Sequence, residues 1–298
     1  METIDIVLII LSFFTFLTLL ILLFMLIKFG EQNEEKFFFI TISISEMLNC
    51  LPKFLQMIRK DEKDIFCYLQ IFFSITSDIC TLTTTTLMSL KSYYQLAKDN
   101  NCFRKEINQK IIKVICILFP LFISVVFTLI DKFYNNNTKN DSHKINEICW
   151  IKNEICNIII YLIFWILIII NFIYIITSIC SLRIIKNKFK SFENDLLEGE
   201  TVSEEKKKNL PSNKVENALC ESYIYSIIIP VIWVYFTISR LFISPDSVQW
   251  MNVHRVISSL RGLIYVSIYF FFNVNRWCAS KQEDSIYESD TNENSIRS

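Results

Sequence analysis

The feature that most constrains this chain is a series of long apolar runs, the first of which extends from Ile4 to Ile27. A helix needs about 20 mostly apolar residues to cross a hydrocarbon core that is about 30 Å thick. Seven segments reach that length, at about residues 4–27, 37–58, 66–90, 111–130, 155–182, 223–243 and 253–275. The sequence therefore predicts an all-α membrane protein, a seven-transmembrane helix bundle over residues 1–277, followed by a disordered cytoplasmic tail at 278–298.

Basic residues indicate which side of the membrane each loop occupies. With the N-terminus outside, 19 Lys and Arg residues fall in cytoplasmic segments and 7 in external ones. Because Lys and Arg concentrate in cytoplasmic loops, this distribution favours an N-terminus outside and a C-terminus inside. Both N-x-[ST] sequons, at Asn136 and Asn140, lie in the loop between the fourth and fifth segments, which this orientation places outside. We expect these two asparagines to be candidate glycosylation sites.

Composition excludes several classes of function. The chain is 52% hydrophobic, with 30 basic and 30 acidic residues, so it lacks the basic field of a nucleic-acid binder. Three glycines and two histidines cannot supply a Gly-rich phosphate loop or a multi-histidine metal site. The seventh segment contains no lysine, which excludes a retinal Schiff base. We therefore expect no enzymatic activity, no metal, no cofactor and no nucleic-acid partner.

Two cysteines lie at the predicted outer surface, where a disulfide can persist. Cys67 opens the third segment and Cys149 lies in the loop before the fifth. Cys156, at the start of the fifth segment, competes with Cys149 for this pairing, and all three can also stay free. At the inner end of the seventh segment, Cys278 is a candidate for palmitoylation or a free cytosolic thiol.

Three ionisable residues are predicted near the middle of the membrane. Counting along each segment places Glu46, Asp78 and Arg261 within several ångströms of the midplane. An isolated charge at that depth costs about 3 kcal/mol, so pairing is expected. We predict that Arg261 bridges the two carboxylates, either as a switch that ligand binding rearranges or as a static clamp that fixes helix register.

A second basic group is predicted at the outer mouth of the bundle. Arg240 ends the sixth segment, His254 and Arg255 begin the seventh, and Lys53 and Arg59 lie near the outer end of the second. If these side chains converge, the mouth suits an anionic ligand, because arginine forms bidentate contacts with phosphate and carboxylate. The alternative is that each one extends to the lipid headgroups.

Two further features bear on regulation. Pro230 should kink the sixth segment, either as a hinge or as an ordinary bend.

The polar, acidic tail after Cys278 contains candidate phosphorylation sites. These are Ser285, Ser289, Thr291 and Ser295.

Short motifs resemble the cyclic-AMP receptors and cyclic-AMP-receptor-like proteins of slime moulds, which are G-protein-coupled receptors. The motifs are Cys67-Tyr68-Leu69-Gln70, Cys149-Trp150-Ile151, Pro230-Val231-Ile232-Trp233 and Leu260-Arg261-Gly262-Leu263 with Tyr269 and Asn273. The resemblance covers about residues 1–277. It implies a plasma-membrane receptor that binds an extracellular small ligand and signals through a heterotrimeric G protein.

The chain departs from that family in its seventh segment, where Arg261-Gly262 replaces a Gln-Gly pair. The resemblance therefore does not imply that cyclic AMP is the ligand. The alternative function is a seven-span small-solute transporter. A parallel repeat would support it, but segments one to three differ from five to seven in polarity and proline placement.

Overall fold

The computed structural model describes residues 3–29, 34–58, 64–97, 106–137, 151, 153–199, 224, 227–228, 230–235, 238, 253 and 256–271. Nearly all of these residues are helical. The long helices are α1 (Thr3–Phe29), α2 (Glu34–Ile58), α3 (Asp64–Ala97), α4 (Glu106–Asn137) and α5 (Glu154–Gly199). Helical residues 230–235 form α6, and α7 is Val256–Phe271.

Five of the helices contain a stretch that is long and apolar enough to cross a membrane. These stretches are Ile6–Lys28, Lys36–Phe54, Ile65–Tyr94, Lys110–Tyr134 and Glu154–Ser181. The shorter helix α7 is also apolar. The prediction of an all-α, multi-pass membrane protein is therefore confirmed, and the first five predicted segments each coincide with one of these helices.

Three helices extend past the ends predicted from hydropathy. Helix α3 continues to Ala97, α4 to Asn137 and α5 to Gly199. Hydropathy detects only the apolar part of a helix, whereas polar residues such as Lys, Glu and Gln continue a helix readily in water. Asn136, the first residue of a sequon that we predicted in a loop, lies in the last turn of α4.

Helix α1 shows how spacing selects the face that packs against the protein. Its buried residues are Leu8, Ser12, Thr15, Leu19, Leu22 and Leu26, spaced alternately by four and three positions. Residues at this spacing share one face of a helix. Phe13, Phe14 and Phe24 lie on the other faces and are more than half exposed, which suits a surface that contacts lipid.

Helix α3 lies at the centre of the described bundle. It packs against α2, α4 and α5, and every side chain from Ile75 to Thr86 is buried. Threonine hydroxyls in this stretch bond back to carbonyls of their own helix, such as Thr86 to the Leu82 carbonyl at 2.8 Å. Such local bonds satisfy polar side chains where lipid and apolar neighbours offer no partner.

Helix α7 packs closely against α1. Thr15 Oγ1 donates to the Ser259 carbonyl at 3.0 Å, and the Ser12 and Ser259 hydroxyls lie 3.4 Å apart. A Cβ atom at Gly262 would lie 2.5 Å from Thr15 Cγ2 and 3.0 Å from Leu19 Cδ1. Glycine therefore permits this approach, as small residues commonly do between membrane helices.

Gly262→Ala should separate α1 from α7 and destabilise the protein by about 1–3 kcal/mol, because the added methyl group overlaps Thr15 Cγ2. Adding Thr15→Ser should recover most of the loss, since serine lacks that methyl group but keeps the hydroxyl. Thermal unfolding of the purified single and double variants tests this. An equal loss in both would contradict the contact.

Candidate functional site

The three predicted mid-membrane ions meet in one cluster. Arg261 on α7 donates from Nε to Glu46 Oε2 on α2 at 2.8 Å. It also donates from Nη1 to Asp78 Oδ1 on α3 at 3.1 Å. Arg261 and Glu46 are each 1% exposed, and Asp78 is 8% exposed. The prediction that Arg261 bridges both carboxylates is confirmed, and we call Glu46, Asp78 and Arg261 the ion cluster.

The positions of these residues along their helices explain why they meet. Glu46 is ten residues into the apolar stretch Lys36–Phe54, and Asp78 is thirteen residues into Ile65–Tyr94. At about 1.5 Å per residue, both carboxylates lie roughly 15–20 Å along their stretches. Charged groups at that depth need partners within the bundle because lipid provides none.

Hydroxyl groups on α2 and α3 support the cluster. Ser77 Oγ accepts from Arg261 Nη2 at 3.3 Å, and Thr81 donates to Glu46 Oε1 at 3.0 Å. The Ser45 and Ser77 hydroxyls each donate to the other's carbonyl at 2.7 Å. Because Ser77 and Thr81 are four residues apart, both lie on the α3 face that packs against α2. This spacing is visible in the sequence, but our prediction did not use it.

Aromatic residues cover the guanidinium group. Arg261 Cζ lies 5.3 Å from the centroid of the Trp233 ring on α6, within the range of a cation–π contact. Trp233 also packs against Phe164 on α5, with ring centroids 4.8 Å apart. Pro230, the predicted hinge, lies three residues before Trp233 in the described part of α6. The ion cluster therefore contacts four helices, namely α2, α3, α6 and α7.

The chemistry of this arrangement is electrostatic. One guanidinium group faces two carboxylates, which gives the cluster a formal charge of −1. Within the described residues, no group of three or more His, Cys, Asp or Glu side chains is arranged to hold a metal ion. The contacts can hold four helices in register, and a change in any of them would move the others.

The predicted convergence of Lys53 with Arg240, His254 and Arg255 stays a prediction, because those three residues lie outside the described part of the chain. Lys53 itself lies near the end of α2, and its Nζ atom is shielded from solvent and has no hydrogen-bond partner among the described residues. It lies seven residues after Glu46 on α2, so both side chains share one face of the helix. That spacing, two helical turns, is the signal that could have indicated an inward side chain.

The cysteine prediction is resolved in one respect. Cys67 is disulfide-bonded, whereas Cys156 is a free, buried thiol. The competing pairing of Cys67 with Cys156 is therefore wrong. Cys149 lies outside the described residues, so its pairing with Cys67 stays a prediction.

Several predicted sites fall outside the described residues. These are Asn140 of the second sequon, the mouth residues Arg240, His254 and Arg255, the candidate palmitoylation site Cys278, and the tail residues Ser285, Ser289, Thr291 and Ser295.

No protein-family profile matches the chain, and no curated protein matches its sequence significantly. The resemblance to the cyclic-AMP receptors therefore stays a prediction.

The two carboxylates should contribute unequally to stability. Glu46→Gln should lower the free energy of unfolding by about 3 kcal/mol, because Glu46 makes the shorter bond to Arg261 and also accepts from Thr81. Asp78→Asn should cost about 1 kcal/mol or less, because Asp78 makes the longer bond to Arg261, is more exposed than Glu46, and leaves the shorter Arg261–Glu46 pair intact. Thermal unfolding of both purified variants in the same nanodiscs compares them. Equal costs, or the reverse order, would show that this geometry does not govern stability.

Proposed function

We propose that this protein is a cell-surface receptor with the architecture of a G-protein-coupled receptor. In this proposal seven helices cross the plasma membrane, with the N-terminus outside and the C-terminus inside. An extracellular small ligand binds between the helices, and a heterotrimeric G protein transmits the signal. The observation that carries the proposal is the buried ion cluster, which joins helices that are distant in sequence at one point.

The cluster suits signalling because a few strong contacts all meet at one guanidinium group. Arg261 holds Glu46 and Asp78 through charged hydrogen bonds, and Trp233 covers it from α6. A ligand can shift such an arrangement only if it binds one state more tightly than the other. Any group that changes the partners of Arg261 changes the spacing of four helices together, which is the bistable element that a receptor requires.

The local structure of α6 adds support. Pro230 has no backbone N–H, so it cannot donate to the carbonyl one turn earlier, and proline commonly kinks helices for this reason. Trp233, less than one turn later, contacts Arg261. In the proposed receptor, release of Arg261 frees Trp233, and α6 then bends at Pro230.

A nucleotide-exchange assay tests the class of protein. Membranes from cells that express the full chain are exposed to nucleotides, pterins, amino acids and peptides in turn, and guanine-nucleotide exchange on G proteins is measured. A response to one ligand that is absent from untransfected membranes supports a receptor. Substrate flux into reconstituted vesicles, without nucleotide exchange, would instead indicate a small-solute transporter.

Arg261→Met should change basal or ligand-driven nucleotide exchange about fivefold or more while the protein still reaches the cell surface. Because this change leaves two buried carboxylates unpaired, the triple variant Glu46→Gln, Asp78→Asn, Arg261→Met provides a neutral version of the same site. The matched control is Lys132→Met, which removes an exposed basic residue from α4 at the end that the proposed orientation places outside, away from the G protein. Normal exchange in surface-expressed Arg261→Met would mean that the cluster is a static clamp.

Cysteine labelling tests the proposed orientation together with the disulfide. On intact cells, Cys149→Ser should make Cys67 react with a membrane-impermeant maleimide, because its partner is gone. Cys156→Ser should not increase labelling, because Cys156 is a free thiol and is not the disulfide partner of Cys67. The added signal should vanish in Cys67→Ser, Cys149→Ser. Labelling that appears only after the cells are permeabilised would refute an outer location.

A further inference from the structure

Lys53 presents a buried cation that the ion cluster does not use. The Lys53 stem is half-buried, and its Nζ atom is shielded from solvent. An ammonium group carries three hydrogen-bond donors, yet Nζ bonds to no acceptor among the described residues. A buried charge without an acceptor is costly, so such a group is retained where something outside the protein supplies the acceptor.

The position of Lys53 links it to the ion cluster. Side chains on a helix lean toward its N-terminus, which directs Lys53 toward the turn that contains Asn49 and Cys50 and beyond it toward Glu46. Lys53 interacts electrostatically with Glu46, Asp78 and Arg261. The formal charge of the cluster is −1, and Lys53 brings the set of four to zero. Lys53 thus lies within electrostatic reach of the cluster, while its own donors meet no acceptor among the described residues.

The backbone beside Lys53 lacks one helical hydrogen-bond donor. Pro52 lies inside α2, immediately before Lys53, and is itself buried. Proline cannot donate the helical hydrogen bond to the carbonyl of Leu48, four residues earlier. Helices in membranes tolerate such breaks where neighbouring groups compensate, and they bend there. Helix α2 therefore has one backbone hydrogen bond fewer at the turn that carries Lys53.

We propose that Lys53 anchors an anionic oxygen group of the ligand, a carboxylate or a phosphate, within the helix bundle. The inference rests on the proposed receptor function and names the chemical class of its ligand. The anion enters from the end of α2 that the proposed orientation places outside, and its oxygens accept from Nζ. Once bound, it adds a negative charge beside Glu46 and Asp78, and Arg261 is drawn toward the anion. Ligand binding and rearrangement of the ion cluster are then one electrostatic event.

Thermal unfolding of the full purified chain tests this anchor without a G protein. The protein is placed in phosphatidylcholine nanodiscs with inorganic phosphate or acetate, against sodium chloride at the same ionic strength. The wild type should gain about 3 °C in Tm with phosphate, because a ligand that binds only the folded state stabilises it. A parallel set of nanodiscs containing phosphatidylserine, without phosphate, distinguishes a lipid headgroup from a soluble anion as the source of the group.

Three variants make the outcome specific. Lys53→Arg should keep the shift, and Lys53→Met should lose it in every buffer. Lys132→Met, which removes an exposed lysine from α4, should behave as the wild type. Without added anion, Lys53→Met should unfold at or above the wild-type Tm, because it removes an unsatisfied buried charge.

Either of two results would overturn the anchor. One is a wild-type Tm that responds to neither phosphate, acetate nor phosphatidylserine, or that responds equally in Lys53→Met. The other is a Lys53→Met protein that is several degrees less stable than wild type in anion-free buffer, which would make Lys53 a structural residue. Neither result depends on nucleotide exchange, so the proposed role of Lys53 and the proposed receptor function are tested independently.

Discussion

The structure depends on the need to partner a guanidinium group in the membrane interior. Arg261 satisfies this need with one donor to Glu46, one to Asp78 and one to Ser77, each from a different nitrogen. These three acceptors belong to two helices other than its own. Because a misplaced helix would leave charges unpaired in a medium without water, the cluster penalises every other register of α2, α3 and α7. Apolar side chains, which pack almost equally well against lipid, cannot impose that penalty.

Close approach of the helices makes this pairing possible. Gly262 follows Arg261 directly, and it lets α7 pack against Thr15 and Leu19 of α1. The phenylalanines Phe13, Phe14 and Phe24 lie on the other faces of α1 and are exposed. Small residues thus lie at the point where α1 and α7 approach most closely, and the aromatic ones lie where shape is less restricted. The position of Arg261 in the bundle therefore depends on the small size of Gly262 as well as on the charges of Glu46 and Asp78.

The depth of each charged residue along its helix could be predicted from the sequence, but the rotation of each helix about its own axis could not. Counting residues along apolar segments located Glu46, Asp78 and Arg261 at one level, and electrostatics then required their contact. The direction that each helix presents to its neighbours depends on packing, so the roles of Trp233 and Ser77 were missed. The buried position of the Lys53 Nζ atom could not be predicted for the same reason, because a lysine near a helix end can point to the headgroups or back into the bundle. The polar ends of α3, α4 and α5 were not predicted, because a hydropathy pattern identifies only the apolar part of a helix.

Helix α5 contains 46 residues, of which the apolar stretch ends at Ser181 and the helix at Gly199. The last eighteen residues therefore project about 27 Å beyond that stretch. A projection of this length is a lever, since a tilt of about 10° at the membrane displaces its tip by roughly 5 Å. Phe164, on the same helix, packs against the Trp233 ring that covers Arg261. A tilt of α5 that begins at this contact is thus carried to the far end of the projection, where another molecule can sense it.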